Sequence, residues 1–202
     1  ELQKLGVDGL LIISPYYNKT NEEGMYHHLA DVMDVVNVPC ILYNIPGRTG
    51  CKISPAVVER LSAHPNAWGI KEASGDISYA VSIAHCLSDD FRMMSGNDDM
   101  IVPLMSLGAV GVISVWADVA PRTVHDLCAK FLAGDVAGAR KLQLDNLELI
   151  HSLFCEVNPI PVKAALAKMG LLEENYRKPL WPMTDSDRER LYAAMKGAGL
   201  ID

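Results

Sequence analysis

The sequence predicts an α/β protein wound from parallel β/α units of the barrel type, followed by a tail that is helical only. Three observations carry that reading. Short apolar, β-branched runs alternate with amphipathic segments at roughly thirty-residue spacing, the rhythm of consecutive βαβ units. Each run ends in a polar, irregular stretch, and the C-terminal ends of the strands are where a barrel puts its chemistry. Neither G-x-G-x-x-G nor G-x-x-x-x-G-K-S/T occurs anywhere, so a doubly wound nucleotide-binding sheet would lack its phosphate loop.

The elements follow in order. Residues 10–14 (LLIIS) form a continuous apolar run stopped by Pro15, as a strand buried on both faces should be. Residues 22–36 carry Met25, Leu29, Val32, Met33 and Val36 at three- and four-residue spacings, a helix. Pro39 introduces a second strand at 40–43 (CILY), which ends before Pro46. Ser54 caps a helix that starts at Pro55 and buries Val57, Val58 and Leu61. A third strand covers 68–73, and a helix over 77–87 presents Ile77, Val81 and Ile83. A strand at 91–94, a helix at 100–107 and a fifth strand at 111–115 (GVISV) complete the series.

Beyond Pro121 the strand signal stops, and 123–132, 136–154, 160–169 and Asp185–Gly197 all read as helices. The expected organisation is a partial barrel over 1–120, then the last barrel helix and a C-terminal helical region over 121–202. About five β/α units, strands 4–8 of a (β/α)8 TIM-type barrel, are then present of the eight that closure requires. Residues 1–5 read as the tail of a helix. The runs at 10–14 and 111–115 become sheet edges without blunting charges, and such edges recruit other strands. The expectation is therefore a chain cut from a longer protein, or edges covered by a partner copy.

Composition narrows the function. Half of the 202 residues are hydrophobic, 21% are charged and 6% aromatic, the balance of a globular protein with an aliphatic core. A net charge of −7 repels nucleic acid. Five cysteines stand singly with no C-x-x-C pair, which points away from a disulfide framework or zinc site and toward a reducing cytoplasm. No apolar stretch approaches the roughly 18 residues of a membrane span, and no signal peptide opens the chain. His27 and His28 are adjacent on a helix and point apart, and the other histidines are isolated, so neither metal nor cofactor is expected.

Lys71 is the most informative residue. It lies in Gly-Ile-Lys-Glu-Ala at 69–73, where strand alternation sets Gly69, Lys71 and Ala73 on one face. An amine flanked by two very small residues has room for a ligand, and partial burial lowers its pKa and frees it to attack a carbonyl. The competing reading is a strand-end lysine whose stem lies on apolar surface and whose head reaches solvent. Tyr43 ends the second strand, either as a proton-relaying phenol or as an aromatic cap. Arg48 lies in the turn 46–50, where its planar fork suits a carboxylate or simply faces water. Tyr16 and Tyr17 form an adjacent pair after the first strand, at a rim or a subunit contact.

Together these segments closely resemble the bacterial 4-hydroxy-tetrahydrodipicolinate synthases (dihydrodipicolinate synthases), within the pyruvate aldolase family that includes N-acetylneuraminate lyase. The likeness rests on SPYYN at 14–18, LYNIPGRTG at 42–50, GIKEASG at 69–75, LGAVGVIS at 107–114 and NPIPVK at 158–163, in the family's order. Arg48 after Tyr43 favours the synthase branch. The resemblance implies Lys71 as the Schiff-base nucleophile toward pyruvate and Tyr43 as the relay phenol. It implies Arg48 as binder of the carboxylate of aspartate semialdehyde, and Gly96 and Ile113 as lining of the pyruvate pocket. Tyr17 would cross a dimer interface into the neighbouring copy, and Tyr16 would lie near a lysine-feedback site. Self-association as dimer or tetramer follows. The family carries three further β/α units ahead of the segments matched here, with a Gly/Thr-rich loop whose threonine links the two tyrosines.

The resemblance thus implies a lyase that condenses pyruvate with L-aspartate 4-semialdehyde on the route to lysine and diaminopimelate. Two alternatives stand beside it: a related pyruvate aldolase or 2-keto-acid decarboxylase, and a non-catalytic partner subunit. Arg48 separates the first, because it implies a second substrate with a carboxylate of its own.

Overall fold

A computed structural model describes residues 1–202. The chain divides into two compact units, Glu1–Ile113 and Ser114–Asp202. In the first, β1 (Leu10–Ile13), β2 (Cys40–Asn44), β3 (Ala67–Glu72), β4 (Arg92–Ser95) and β5 (Gly111–Val112) form one parallel sheet. The strands lie side by side in chain order, with β1 and β5 at the edges. A doubly wound sheet reverses its strand order at a switch point. Here the order never reverses, so each right-handed crossover returns to the same side, as in barrel winding.

The helices of this unit start where their side chains can satisfy the first free amides. Asn21 accepts from Gly24 N at 2.9 Å ahead of α1 (Glu22–Asp34). A helical turn α2 (Pro46–Thr49) follows β2, and Ser54 accepts from Val57 N at 3.4 Å ahead of α3 (Pro55–Ser62). The expected triad Val57, Val58 and Leu61 is the buried face of α3, each side chain contributing about 1.5–3 kcal/mol. Asp76 accepts from Tyr79 N at 3.1 Å to start α4 (Ile77–Ile83), and α5 (Ile101–Ser106) precedes β5.

Several boundaries differ from the sequence reading. α4 presents two of its three expected apolar residues outward: Ile77 and Val81 are 43% and 55% exposed, while Ile83 is buried together with Tyr79 and Ala80. Hydropathy favoured the branched aliphatics, but the Tyr79 hydroxyl finds the Ile53 carbonyl at 2.8 Å, so the phenol ring is the better core group. The fifth strand is two residues long rather than five. Ile113 N still donates to Ser95 O at 2.9 Å, but Ser114 Oγ accepts from Ala117 N at 2.8 Å and turns the chain into α6 (Trp116–Val119). The opening residues form a single 3-10 turn at Leu2–Leu5.

The second unit contains helices only. It comprises α6, α7 (Pro121–Leu132), α8 (Val136–Asp145), α9 (Leu147–Ser152), α10 (Ile160–Lys168) and α11 (Asp185–Gly197). The helix expected over 136–154 is two helices, broken at Asn146, whose side chain turns back to Leu142 O at 2.8 Å. α7 packs on α8, and α11 on α9 and α10, around Leu127, Leu149, Ile150, Leu191 and Met195. A fork-to-fork pair joins Arg188 to Glu174 at 2.6 and 2.7 Å. No helix is long and apolar enough to cross a membrane.

Candidate active site

The parallel register sets Ile13, Tyr43, Lys71 and Met94 in one row across β1 to β4. A bulge brings Tyr43 and Lys71 into line: Cys40 pairs with Ala67 but Ile41 with Gly69, so Trp68 is the extra residue. From there the alternation is regular. Ile70 and Glu72 are buried and Lys71 between them is half-buried, just as Leu42 and Asn44 are buried around half-buried Tyr43. The Lys71 Nζ lies over the face of the Tyr43 ring, 4.4 Å from its centre. Burial holds the Lys71 amine below the ordinary lysine range, and the buried Asp98 carboxylate pulls the other way.

The space around this amine has a different source from the one expected. A methyl group on Gly69 would overlap the Arg92 backbone carbonyl, so Gly69 serves close approach of β3 and β4, not room for a ligand. Gly96 makes the room. A Cβ there would fall 3.1 Å from Lys71 Cε and 2.5 Å from Ala73 Cβ. Gly96 is held in place by its own N–H, which donates to Glu72 O at 2.7 Å.

Tyr43 is pushed above the usual phenol range by burial, while the positive charge of Arg48 draws it back. Arg48 itself is exposed on α2, a turn closed by Gly50 in the left-handed conformation and tied by Thr49 Oγ1, which reaches Cys51 O at 2.8 Å. Lys71, Tyr43, Arg48 and Gly96 are therefore gathered at the C-terminal ends of β2, β3 and β4, and the Ile113 amide adds the neighbouring position beside Ser95. Tyr17 extends into solvent, 92% exposed, and is the single non-glycine residue with positive φ, at 69°. Tyr16 is also exposed. No group of three His, Cys, Asp or Glu side chains lies close enough to hold a metal ion.

A second row of residues was not singled out from sequence. Directly after the row above, on the opposite face, come Ser14, Asn44, Glu72 and Ser95, all buried. Glu72 is the centre of this layer and only 2% exposed. Its Oε2 accepts from Asn44 Nδ2 at 2.7 Å, and its Oε1 accepts from Ser74 N at 2.7 Å and from the Ser74 hydroxyl. Asn44 Oδ1 in turn accepts from Ile53 N at 3.1 Å, and Ile53 O accepts from the buried Tyr79. Burial raises the Glu72 carboxyl above the usual range against these hydrogen bonds. A glutamate directly after the lysine, on the opposite face of the strand end, was the available signal. Only tertiary structure supplies its partner.

Comparison with known proteins adds to this geometry. The model described as the Dihydrodipicolinate synthetase family matches residues 1–198. The 4-hydroxy-tetrahydrodipicolinate synthase 1 of Clostridium acetobutylicum is 46% identical over 199 residues, which are 98% of this chain and 68% of that protein. The crystal structure of a dihydrodipicolinate synthase from Thermotoga maritima superposes with a TM-score of 0.96 at 39% identity, covering 98% of this chain and 69% of that one. That of the chloride-inhibited enzyme from Acinetobacter baumannii complexed with pyruvate gives 0.94 at 43% identity, over 98% and 68%.

Proposed function

Because the chain belongs to the dihydrodipicolinate synthetase family, we propose that it is a pyruvate-dependent lyase of lysine biosynthesis in which Lys71 forms a Schiff base. The second substrate on this reading is L-aspartate 4-semialdehyde, and the five-stranded sheet corresponds to strands 4–8 of an eight-stranded barrel. One observation carries the proposal: a half-buried amine, its pKa lowered by burial, sits over a phenol ring in space that Gly96 leaves open.

The chemistry follows from those groups. The neutral Lys71 amine attacks the ketone carbon of pyruvate, and loss of water leaves a protonated imine. The imine acts as an electron sink, so a methyl proton departs and an enamine forms. The enamine carbon then adds to the aldehyde of the semialdehyde. The amino group of that substrate attacks the imine carbon, closes the ring and releases Lys71 to give 4-hydroxy-tetrahydrodipicolinate. Tyr43, whose phenol is kept protonated by burial, moves protons at the carbinolamine and at the new hydroxyl. Arg48 pairs with the carboxylate of the semialdehyde, a role suited to its exposed, planar fork. Gly96 and the Ile113 segment line the pyruvate side.

Tyr17 supports self-association. A non-glycine residue held at positive φ is strained, and here the strain projects an aromatic ring almost wholly into solvent. A second copy of the chain covers that ring in a dimer or tetramer, and sedimentation at micromolar concentration should show no clean monomer.

The central test is chemical. Sodium borohydride added with pyruvate should leave one reduced pyruvyl group on the peptide containing Lys71, seen by mass spectrometry, and Lys71→Ala should remove it. An adduct on another lysine, or none on the folded protein, overturns the proposal.

A further inference from the structure

We propose that Glu72 and Asn44 form a buried positioning pair that fixes the Lys71 amine relative to the Tyr43 phenol and to the turn carrying Arg48. Its role rests on the Schiff-base reading of Lys71. Glu72 follows Lys71 and Asn44 follows Tyr43, and the two pairs are consecutive rungs of the same ladder: Tyr43 opposite Lys71, then Asn44 opposite Glu72. Alternation turns the first rung toward the site and the second toward the helices. The loops begin at this level. There the ends of β2 and β3 are joined by a backbone bond, in which Ala73 N donates to Asn44 O at 2.9 Å, and by the side-chain bond from Asn44 Nδ2 to Glu72 Oε2 at 2.7 Å.

The pair also reaches the loops on both sides. Through Asn44 Oδ1 it holds the Ile53 amide, and so the segment that returns from the Arg48 turn into α3. Through Glu72 Oε1 it holds the Ser74 amide and hydroxyl, and Ser74 Oγ accepts from Asp76 N at 3.2 Å at the start of α4. Each of the reacting side chains thus has a neighbour in sequence locked from behind. A carboxyl buried this deeply is costly unless each of its oxygens is satisfied, and an aliphatic pair would fill the same space without that cost. A stability role alone leaves that choice unexplained. Directional bonds that aim the ends of two strands explain it, since misplacement of a reacting group by about 1 Å costs on the order of a hundredfold in rate.

The test uses a reversal of polarity in the full chain. Glu72→Gln keeps the shape but sets an amide donor against the Asn44 amide donor. Adding Asn44→Asp restores every bond with only the central one reversed: the new amide at position 72 would donate to the new carboxylate at position 44, whose other oxygen still accepts from Ile53 N, and one carboxylate remains in the site. The readout is the rate of borohydride-trapped pyruvate adduct on Lys71, with the concentration of pyruvate giving half-maximal rate. Glu72→Gln should slow trapping about tenfold, with the half-maximal concentration moved less than about twofold, and the double variant should recover to within about threefold of the original rate. A folded Glu72→Gln that traps at the original rate overturns the inference, as does a folded double variant no faster than the single. If Glu72→Gln does not unfold cooperatively, Ser74→Ala takes its place, with a loss of about threefold expected and none counting against the pair. Absence of any adduct on the unaltered protein instead overturns the Schiff-base reading itself, and the pair's role with it.

Discussion

At the N-terminal ends of the strands a cleft of about 750 Å3 opens among Pro39, His64, Asn66, Trp68, Asp89 and Arg92. At the opposite ends lie Lys71, Tyr43 and Gly96, packed closely enough that one added methyl group would touch the lysine. This cleft is chemically quiet. His64 Nε2 meets Asp34 at 3.1 Å, and the Arg92 guanidinium lies over the Trp68 ring and donates to Asp89 O at 3.1 Å. Its charges are spent on one another or on water. At the opposite end a half-buried amine, its pKa lowered by burial, lies beside a phenol whose pKa burial raises. An open cleft and a perturbed amine thus lie at opposite ends of the same sheet, and a shifted pKa in a confined space is the stronger pointer to chemistry.

The largest effect that would sharpen this contrast is expected at the phenol. Tyr43→Phe keeps the ring under Lys71 and removes only the proton, so kcat for condensation should fall by about 10²- to 10⁴-fold, while the borohydride adduct on Lys71 persists. Loss of the adduct along with turnover would mean that the ring, not the hydroxyl, is what matters. Next in size, Arg48→Ala should weaken the semialdehyde by about 30- to 150-fold and leave pyruvate nearly untouched, because a charge-assisted carboxylate contact is removed. Equal losses for both substrates in steady-state kinetics would break the assignment.

A smaller effect concerns stability and pH. The folded-state pKa of Lys71 lies below its unfolded value, so between the two the unfolded chain binds the extra proton and stability rises with pH. Below both values the amine is charged in the folded and the unfolded chain alike, and the burial cost is present in full. Above about pH 10.4, the ordinary lysine value, it is gone. Lys71→Met should therefore raise Tm at pH 7, by roughly 1–2 °C once solvent screening of a half-exposed group is allowed for, and the advantage should shrink as pH climbs toward 10. A Tm lower than the original at pH 7 would show that the amine is not held at a cost. Smallest of all is the effect at the other end: Arg92→Ala should cost about 0.5–1 kcal/mol in urea unfolding and leave condensation within about twofold. A large loss of activity there would make the cleft part of the site and undo the comparison.

Much of the fold was legible because it depends on local pattern. The runs at Leu10, Cys40 and Phe91 mark strands, although the first is not buried on both faces, since Leu11 is 46% exposed on the edge strand, and Ser54 sits where a helix needs an acceptor for its first amides. Those features belong to a few neighbouring residues, and their energetics are settled within a turn or a strand. The α4 face and the short fifth strand were misread because each was decided by a partner distant in sequence or by a competing cap: the Ile53 carbonyl for Tyr79, and Ser114 Oγ for the chain after Val112.

Lys71, Tyr43 and Arg48 could be named from the sequence because reactive side chains stand out against the apolar strands that carry them. What places them together is the ladder register, and that is a tertiary matter. The bulge at Trp68 shifts β3 by one residue against β2, and without that shift Lys71 would face the helices and Glu72 the site. The same holds for the two glycines. Nothing local distinguishes Gly69 from Gly96, yet one makes room for the backbone of β4 and the other for the lysine stem. Sequence determined which chemical groups this protein possesses and which strands bear them. Tertiary structure alone decided which face each group takes, because the face is set by hydrogen-bond register between strands that lie a helix apart along the chain.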